Sequence, residues 1–441
     1  MNGIKIAVIG GGSSYTPELI DGIIKRKDEL PVSEICLIDI QDGMDKLYTV
    51  KELASRMCEK SNLDIKVTAT LDRRNGIREA DFVITQFRVG GLKAREKDES
   101  IPLRYNLIGQ ETTGAGGFAK ALRTIPVILD ICKDIEELAP DAWLINFTNP
   151  AGIITEAVLK QTKVKVIGLC NVPISMKFNI AHMLKVEKNR IKIDFIGLNH
   201  MVYGKKVYLD NEDVTEKVLE LIAQGESFTM KNIPDLKWHR GLIESLKLVP
   251  CPYHRYFYMK EDIIKEESET IKNGGGTRAT QVLKIEEKLF ELYKDIDLNE
   301  KPKELEKRGG ANYSDAAISL VSAIYNDKNE IHTVNVRNNG AIANLDRDAV
   351  VEVNCVVNSL GAHPIIVGEL SDEVEGLVKA IKAYEKLTVW CAIYGDYNRG
   401  IMALVTNPLV GDFHAARNVF KDIIKENKDY LPQFAYINEE E

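Results

Sequence analysis

The stretch IKIAVIGGGSSYTPEL, residues 4–19, decides the fold. Its first six residues are a short apolar run, which predicts a buried strand, and three glycines at 10–12 end that run. A helix is predicted to begin near Thr16 and Pro17, because threonine is a good N-cap and proline suits the first helical turn. A strand, a glycine turn and a helix in this order form the first unit of a dinucleotide-binding fold.

The glycine turn and the next strand predict a cofactor site. Gly10 and Gly12 have no Cβ atoms, so a pyrophosphate can approach the backbone there, and we place Ser13 and Ser14 in the same site. Asp39 ends the second predicted strand, where a carboxylate accepts hydrogen bonds from a ribose diol and favours NAD over its 2′-phosphate form. A bare G-x-G is also found in plain tight turns, and the third glycine of the usual pattern is absent. The context and the acidic residue favour the dinucleotide.

Strand and helix patterns alternate through the first part of the chain, which predicts an α/β fold with a Rossmann-like, doubly wound parallel sheet. We assign residues 1–170 to this NAD-binding domain. Residues 191–209 predict two antiparallel strands, and helical patterns dominate the sequence that follows them. Residues 171–441 are therefore expected to form a second, mixed, helix-rich α+β domain, with some C-terminal helices packing back on the first domain.

Composition excludes several classes of function. The 441 residues carry 58 Lys and Arg against 66 Asp and Glu, a net charge of −8, which disfavours nucleic acid or an anionic membrane as partner. No apolar run approaches the roughly 18–20 residues of a membrane span, and no signal peptide is recognised. The seven cysteines are dispersed and form no C-x-x-C pair, which suits a reducing compartment. We expect a cytoplasmic protein.

Three residues are candidates for metal binding and base catalysis. Cys170 and His200 each follow an apolar strand, and a thiolate with an imidazole supplies two ligands for a divalent transition metal while leaving positions for substrate oxygens. Taken alone, a buried cysteine and a core histidine are the commoner interpretation of such a pair. Tyr253 lies in an aromatic cluster, YHRYFY, and becomes a base near neutral pH only where a cation or metal lowers its pKa. Aromatic clusters are also common in cores.

Arginines in predicted loops or at predicted helix starts are candidates for anion binding: Arg88, Arg95, Arg104, Arg123 and Arg278. The last of these opens a helix directly after a glycine-rich run, so its guanidinium and the helix dipole can act together on a phosphate. A solvated surface arginine is the alternative for each of them. The glycine-rich segment GQETTGAGGF, residues 109–118, is expected to be a loop that closes over a ligand.

The sequence resembles glycoside hydrolase family 4, the NAD- and metal-dependent phosphoglycosidases. This resemblance is carried by motifs spread in family order over about three-quarters of the chain: GGGSSYTPEL (10–19), FRVGGLKARE (87–96), IGQETTGAGGFAKALR (108–123), INFTNPAG (145–152), GLCNVPI (168–174), GLNH (197–200), PYHRY (252–256) and RGGANYS (308–314). The family is an exception to the two-carboxylate chemistry of most glycosidases.

The resemblance implies roles for particular residues. Cys170 and His200 would bind a divalent metal, usually Mn²⁺, and Tyr253 would be the catalytic base. Substrate contacts would come from Asn149 and from two arginines that hold the 6-phosphate, Arg95 and Arg278. The second domain, residues 171–441, is expected to contribute to substrate and metal binding and to form the oligomer contacts.

Asn171 bears on specificity. Family members that act on α-glucosides tend to carry aspartate directly after the metal cysteine, as a general acid, whereas C-N-V-P, as in this sequence, is similar to members that hydrolyse 6-phospho-β-glucosides such as cellobiose 6-phosphate. The implied reaction is C3 oxidation by NAD, C2 deprotonation, 1,2-elimination, water addition and re-reduction. The acid that protonates the leaving group stays unassigned.

Three alternatives remain open from sequence. A member of the same family could act on α-linked or unphosphorylated glycosides. An NAD-dependent 2-hydroxy-acid dehydrogenase shares the fold but would need no thiolate-bound metal, since a fold alone does not determine function. An NAD-binding regulator without activity would show no turnover. The family resemblance also leads us to expect a homodimer or homotetramer.

Overall fold

The computed structural model describes residues 3–226, 230, 233–308 and 313–437, without the side chains of 313–315. Motif residues 309–312 and the last four residues of the chain lie outside this range. The strands are β1 (Ile4–Ile9), β2 (Val32–Ile38), β3 (Lys66–Thr70), β4 (Phe82–Thr85), β5 (Trp143–Asn146), β6 (Lys165–Gly168), β7 (Ile191–Leu198), β8 (Met201–Leu209), β9 (Glu212–Asp213), β10 (Val249–Pro250), β11 (Glu330–Arg337), β12 (Val350–Asn358) and β13 (Gly361–Pro364).

The helices are α1 (Thr16–Lys25), α2 (Met44–Lys60), α3 (Arg73–Ile77), α4 (Gly91–Leu103), α5 (Gly114–Leu138), α6 (Ala151–Gln161), α7 (Val172–Leu184), α8 (Thr215–Ala223), α9 (Arg240–Leu246), α10 (Arg255–Tyr258), α11 (Lys260–Lys272), α12 (Arg278–Tyr293), α13 (Tyr313–Tyr325), α14 (Asp372–Tyr394), α15 (Tyr397–Thr406) and α16 (Phe413–Glu426).

The main sheet has the order β13-β12-β11-β6-β5-β4-β1-β2-β3. Strands β1 to β6 are parallel to one another, with β1 between β2 and β4, so the strand order reverses at β1. This is the doubly wound arrangement that the strand–helix alternation predicts, and the α/β, Rossmann-like fold is confirmed. Ligands bind in such sheets at the carboxyl ends of the strands beside the point of reversal.

Strand β1 shows why the sequence folds in this way. Ile6 and Val8 belong to the core on the face covered by α1 and α2, whereas Ala7 and Ile9 belong to the core on the face covered by α5. Both faces of the sheet are therefore buried. This explains why the strand is an unbroken apolar run rather than an alternating one.

Beyond β6 the main sheet continues with strands that sequence analysis did not predict. Strand β11 pairs antiparallel with β6, and β12 and β13 follow it, also antiparallel. A separate small sheet is made of β7, β8 and β10, with β9 paired to β8. The antiparallel pairing of β7 with β8 confirms the prediction for residues 191–209. The division of the chain at residue 170 stays a prediction.

The prediction of a loop over residues 109–118 is wrong for its second half, because α5 begins at Gly114. A Cβ atom at Gly116 would lie 2.3 Å from the carbonyl oxygen of Gln110, and one at Gly117 would lie 2.6 Å from the carbonyl carbon of Thr112. The glycines thus allow segment 109–113 to lie directly against the first turn of α5. Among the described residues, no helix combines the length and the apolar character needed to cross a membrane.

Candidate active site

The glycine turn lies at the reversal point of the main sheet. The amides of Gly10 and Gly11 both donate to the carbonyl oxygen of Ile38 at 2.9 Å, which holds the turn against the end of β2. Gly10 has a φ of 81°, a conformation that favours glycine. Helix α1 begins a few residues later, so the positive end of its dipole lies beside the turn and favours a pyrophosphate there.

Asp39 and the two serines surround this turn. Asp39 accepts a hydrogen bond from the Gly12 amide at 2.8 Å through Oδ2, which fixes the carboxylate beside the turn. The Ser13 hydroxyl accepts from the Tyr15 amide at 3.2 Å, and Ser14 is buried. A Rossmann crevice with a carboxylate at the end of β2 fits a dinucleotide with a free ribose diol.

Cys170 lies at the N-terminus of α7, just beyond β6. Its sulfur is hydrogen-bonded to the Val172 amide and to the Asn199 side chain, while burial raises the pKa of the thiol. Two donors aimed at a buried sulfur fit a thiolate that binds a cation, because a metal ion favours the deprotonated form that burial opposes.

His200 occupies the tight turn between β7 and β8, with a φ of 61°. Its backbone carbonyl accepts from the thiol of Cys251 at 3.6 Å, and its neighbour Asn199 contacts Cys170, so the turn lies beside the cysteine. Burial lowers the pKa of His200 to about 3, which keeps the imidazole neutral and able to bind a metal. Within the described chain, its buried Nδ1 atom has no hydrogen-bond partner.

These observations fit a divalent transition metal. Cys170 and His200 would supply a sulfur and a nitrogen ligand, the donor types that Mn²⁺, Zn²⁺ and related ions accept. The described residues contain no group of three or more His, Cys, Asp or Glu side chains that could hold a metal. Two protein ligands leave the remaining positions for substrate oxygens or water, as an open catalytic site requires.

Tyr253 lies directly against His200. Their rings stack with centroids 3.8 Å apart and planes 6° from parallel. The Thr112 hydroxyl is 3.5 Å from the Tyr253 hydroxyl, which brings segment 109–113 to the same place. If His200 binds a metal, the phenol stacked on its imidazole is suitably placed to exchange a proton with a substrate held by that metal.

A cavity of about 300 Å³, the anion pocket, contains both candidate arginines, Arg95 and Arg278, and is also lined by Gln110, Tyr256 and Glu267. Arg278 is the first residue of α12, as predicted. Its Nε and Nη2 atoms are buried and have no hydrogen-bond partner among the described residues. Burial, and then the charge of Arg95, lower the pKa of Arg278. Two adjacent guanidinium groups, one with unused donors, form a site for an anion.

Arg95 is fixed differently from Arg278. It lies inside α4, where its guanidinium is paired with Glu99 at 2.7 Å and with Glu111 at 3.2 Å. The prediction that the arginines lie in loops or at helix starts is therefore wrong for Arg95, and also for Arg123, which is buried within α5 and paired with Asp98. Both helices contain glycine or proline, which obscured the helical pattern in the sequence.

The two asparagines lie near these groups. Asn149 has a buried Oδ1 atom that no described residue hydrogen-bonds, and Pro150, which follows it, lines a small cavity together with His200. Asn171 directly follows Cys170 and is the N-cap residue of α7. It carries no ionisable group, so this position offers no proton to a leaving group.

Sequence analysis did not assign three charged residues that the structure adds to the site. Glu111 is paired with Lys120 at 3.1 Å as well as with Arg95, and burial followed by the charge of Arg88 lowers the pKa of Lys120 to about 7. Glu267 lines the anion pocket, and burial raises its pKa to about 7. Glu111 and Lys120 lie inside the motif of residues 108–123, whereas no sequence pattern distinguishes Glu267.

Comparison with known proteins identifies the family of this chain. The model described as family 4 glycosyl hydrolase matches residues 5–186, and that of the family's C-terminal domain matches residues 195–410. The chain belongs to family 4 of the glycosyl hydrolases. Within this family it is 52% identical, over 98% of each chain, to a Bacillus subtilis protein described as a probable 6-phospho-beta-glucosidase. It is 47% identical to the 6-phospho-beta-glucosidase of Escherichia coli, over 98% of this chain and 97% of the relative.

A solved family member has a similar structure over nearly the whole chain. The 6-phospho-beta glucosidase of Thermotoga maritima, solved with NAD and glucose-6-phosphate, has a TM-score of 0.89 and 38% identity, covering 97% of this chain and 99% of that one. A second structure of the same protein, with manganese, NAD+ and glucose-6-phosphate, has a TM-score of 0.87. Family membership excludes an ordinary 2-hydroxy-acid dehydrogenase as the identity of this chain.

Proposed function

We propose that this chain hydrolyses 6-phospho-β-glucosides, such as cellobiose 6-phosphate, with NAD and a divalent metal such as Mn²⁺ as cofactors. The observation that carries the proposal is the Arg278 guanidinium beside Arg95 in the anion pocket, because its buried Nε and Nη2 atoms have no hydrogen-bond partner among the described residues. In a family 4 chain, an anion site of this kind suits the 6-phosphate of a sugar. The relatives described as 6-phospho-β-glucosidases support the same substrate class.

Each site residue has a role in this proposal. NAD supplies the reversible oxidation at C3, and the metal polarises the resulting carbonyl group. Cys170 and His200 hold the metal, and Tyr253, stacked on that imidazole, accepts the proton from C2. Arg95 and Arg278 bind the phosphate, so the sugar ring is held between the anion pocket and the metal ligands. Because the substrate is fixed at both ends, the proton on C2 is positioned for transfer to Tyr253.

The β specificity of the proposal rests on Asn171. An aspartate at this position would be a general acid next to the metal ligand, as in α-specific members, whereas the amide of Asn171 has no proton to give. The acid that protonates the departing sugar stays unassigned. We therefore retain the β-glucoside assignment over the α-linked or unphosphorylated alternatives.

The location and assembly of the protein are also proposals. All seven cysteines are unpaired and buried, which supports a reducing compartment such as the cytoplasm. Exposed aromatic residues near the ends of α14 and α16, among them Trp390, Tyr394 and Phe413, support a homodimer or homotetramer. Light scattering coupled to size-exclusion chromatography would measure the assembly, and a monomer would contradict it.

The function is tested with p-nitrophenyl β-D-glucoside 6-phosphate and its α-anomer. We expect release of p-nitrophenol from the β-anomer only, and only when NAD⁺, Mn²⁺ and a thiol reductant are all present. NAD⁺ should be needed in catalytic amounts, with no accumulation of NADH, because the hydride returns to the sugar in each cycle. Hydrolysis of the α-anomer alone would contradict the specificity, and stoichiometric NADH would contradict the mechanism.

A further inference from the structure

A buried carboxylate on α12 reaches the dinucleotide turn. Glu286 accepts a hydrogen bond from the Ser14 hydroxyl at 3.1 Å, and it is paired with Lys46 at 3.2 Å and with the Nε atom of Arg308 at 3.0 Å. Burial opposes ionisation, but the charges of Arg308 and Lys46 lower the pKa of Glu286 to about 2, so it is a carboxylate at neutral pH. Tyr293, two turns further along α12, donates to the carbonyl oxygen of Ser14 at 2.8 Å.

Ser14 is thus held from both sides by one helix. Its hydroxyl bonds to Glu286 and its carbonyl bonds to Tyr293, although it precedes them by more than 270 residues in the sequence. Ser14 lies between the glycine turn and α1, where the phosphates of a dinucleotide bind. The position of α12 therefore determines how the turn is presented to the cofactor.

The same helix begins in the anion pocket. Arg278 is its first residue, and the amide of Ala279 donates to Oε2 of Glu99 at 2.7 Å. Oε1 of Glu99 accepts from Nε of Arg95 at 2.7 Å. The first turn of α12 is thereby bonded to the arginine on the opposite wall of the pocket. Eight residues separate Arg278 from Glu286, about 12 Å along a helix axis.

We propose that α12 couples the anion pocket to the dinucleotide turn, with Glu286 as the residue that positions Ser14. The identity of the two ligands, a sugar phosphate and NAD, rests on the proposed function. Glu286 touches neither ligand in this scheme and acts through Ser14.

The coupling has a direct electrostatic cause. Without an anion, the guanidinium groups of Arg278 and Arg95 repel each other across the pocket, which the Glu99 carboxylate offsets only in part, and a phosphate between them removes that repulsion. The N-terminus of α12 is then drawn toward α4, and a helix transmits such a displacement along its length as a rigid element. Glu286 and Tyr293 move with it and order the turn. By linkage, the dinucleotide must favour the sugar phosphate by the same factor.

The test measures this factor with adenosine diphosphate ribose, which has the phosphates of NAD but no nicotinamide ring to touch the sugar. Any coupling with glucose 6-phosphate must then pass through the protein. Isothermal titration of the metal-loaded protein should give an adenosine diphosphate ribose Kd about 5-fold lower, or more, when glucose 6-phosphate is saturating. The reciprocal titration should give the same ratio.

The variant Glu286→Gln should reduce this ratio to about 1 and weaken adenosine diphosphate ribose binding alone by about 10-fold, because a charge-assisted contact to the turn is lost. Glu287→Gln is the matched control, since Glu287 is the next residue on α12 but is exposed, and its ratio should equal that of the wild type. A Glu286→Gln variant with the wild-type ratio would overturn the proposal. Rescue of the ratio by Glu286→Asp would support it, because a purely structural role would not depend on charge.

Two gentler variants decide the question if Glu286→Gln does not fold. Ser14→Ala and Tyr293→Phe each remove one hydroxyl and one of the two contacts, and each should lower the ratio. Wild-type ratios in both would overturn the coupling. A wild-type protein that hydrolyses the β-anomer and binds both ligands, but with a ratio of 1, would overturn the coupling and leave the proposed function standing. Failure of the wild type to bind either ligand would overturn both.

Discussion

Replacing Arg278 with methionine removes the guanidinium while keeping a long apolar side chain. Its Nε and Nη2 atoms have no partner among the described residues, so the change breaks no hydrogen bond at those atoms in the free enzyme. The Nη1 atom loses one bond, to Gln281 at 3.1 Å on the same helix. The folded structure should therefore tolerate the substitution, and its effect should fall on ligand binding.

The magnitude follows from those two free donors. A hydrogen bond to a charged group contributes about 1.5–3 kcal/mol, so two bonds to a phosphate contribute roughly 3–6 kcal/mol. Arg278 is only half-buried and its pKa is already lowered, which favours the lower limit of about 3 kcal/mol. At 1.4 kcal/mol for each factor of ten, this corresponds to a loss of about 10²-fold.

The assay is kcat/KM for p-nitrophenyl β-D-glucoside 6-phosphate, together with the Kd of glucose 6-phosphate by isothermal titration. Both should weaken by about 10²-fold in Arg278→Met, because the lost interaction is made with the phosphate in the ground state and the transition state alike. Arg240→Met, at the exposed start of α9, is the control and should behave as the wild type. Wild-type affinity for glucose 6-phosphate in Arg278→Met would refute the assignment of the phosphate site.

Three further substitutions test other parts of the site and the fold. Cys170→Ser should abolish Mn²⁺ binding in a calorimetric titration while NAD⁺ affinity stays within about 2-fold, since the sulfur ligand is replaced by a weaker oxygen; retained Mn²⁺ binding would contradict the metal site. Burial raises the pKa of Glu267 in the anion pocket to about 7, so its carboxylate forms and repels a phosphate as pH rises. The wild type should therefore lose affinity for glucose 6-phosphate between about pH 6 and 8, and Glu267→Gln should remove this loss. An unchanged pH profile of the affinity in the variant would count against this role. Asp98→Asn leaves the fully buried Arg123 without its ion-pair partner and should lower the free energy of unfolding in urea by about 3–5 kcal/mol. Asp130→Asn, in an exposed pair with Lys133, should lower it by less than about 1 kcal/mol. Equal urea midpoints for the two variants would contradict this difference.

The parts of the fold that sequence predicts are those with a local cause. The apolar run of β1, the glycine turn and the start of α1 follow one another within residues 4–16, and each is determined by neighbours in the chain. The strands β11 and β12 were missed even though VVEVNCVVN is rich in β-branched residues. Strand β11 joins the main sheet by pairing with β6, which lies more than 160 residues earlier in the chain, and no local pattern indicates this pairing.

The site also contains residues that the sequence could select and residues that only the folded structure reveals. Cys170, His200 and Tyr253 could be selected because family motifs contain them, and the stacking of His200 on Tyr253 agrees with that selection without testing the roles. Glu286 could not be selected, because its role depends on a hydrogen bond to Ser14, which lies 272 residues earlier in the sequence. Glu267 acquires its raised pKa from burial in the assembled pocket and, to a smaller extent, from the charges of Glu99 and Glu266.

The central claim is that Tyr253 removes the C2 proton of a sugar oxidised at C3. The most direct measurement is hydrolysis of cellobiose 6-phosphate in D₂O, followed by NMR analysis of the glucose 6-phosphate released from the non-reducing end. We expect deuterium at C2 of this product, and Tyr253→Phe should incorporate none while still binding NAD⁺ and Mn²⁺. A wild-type product with hydrogen at C2 would contradict the mechanism, and full exchange by Tyr253→Phe would show that another group is the base.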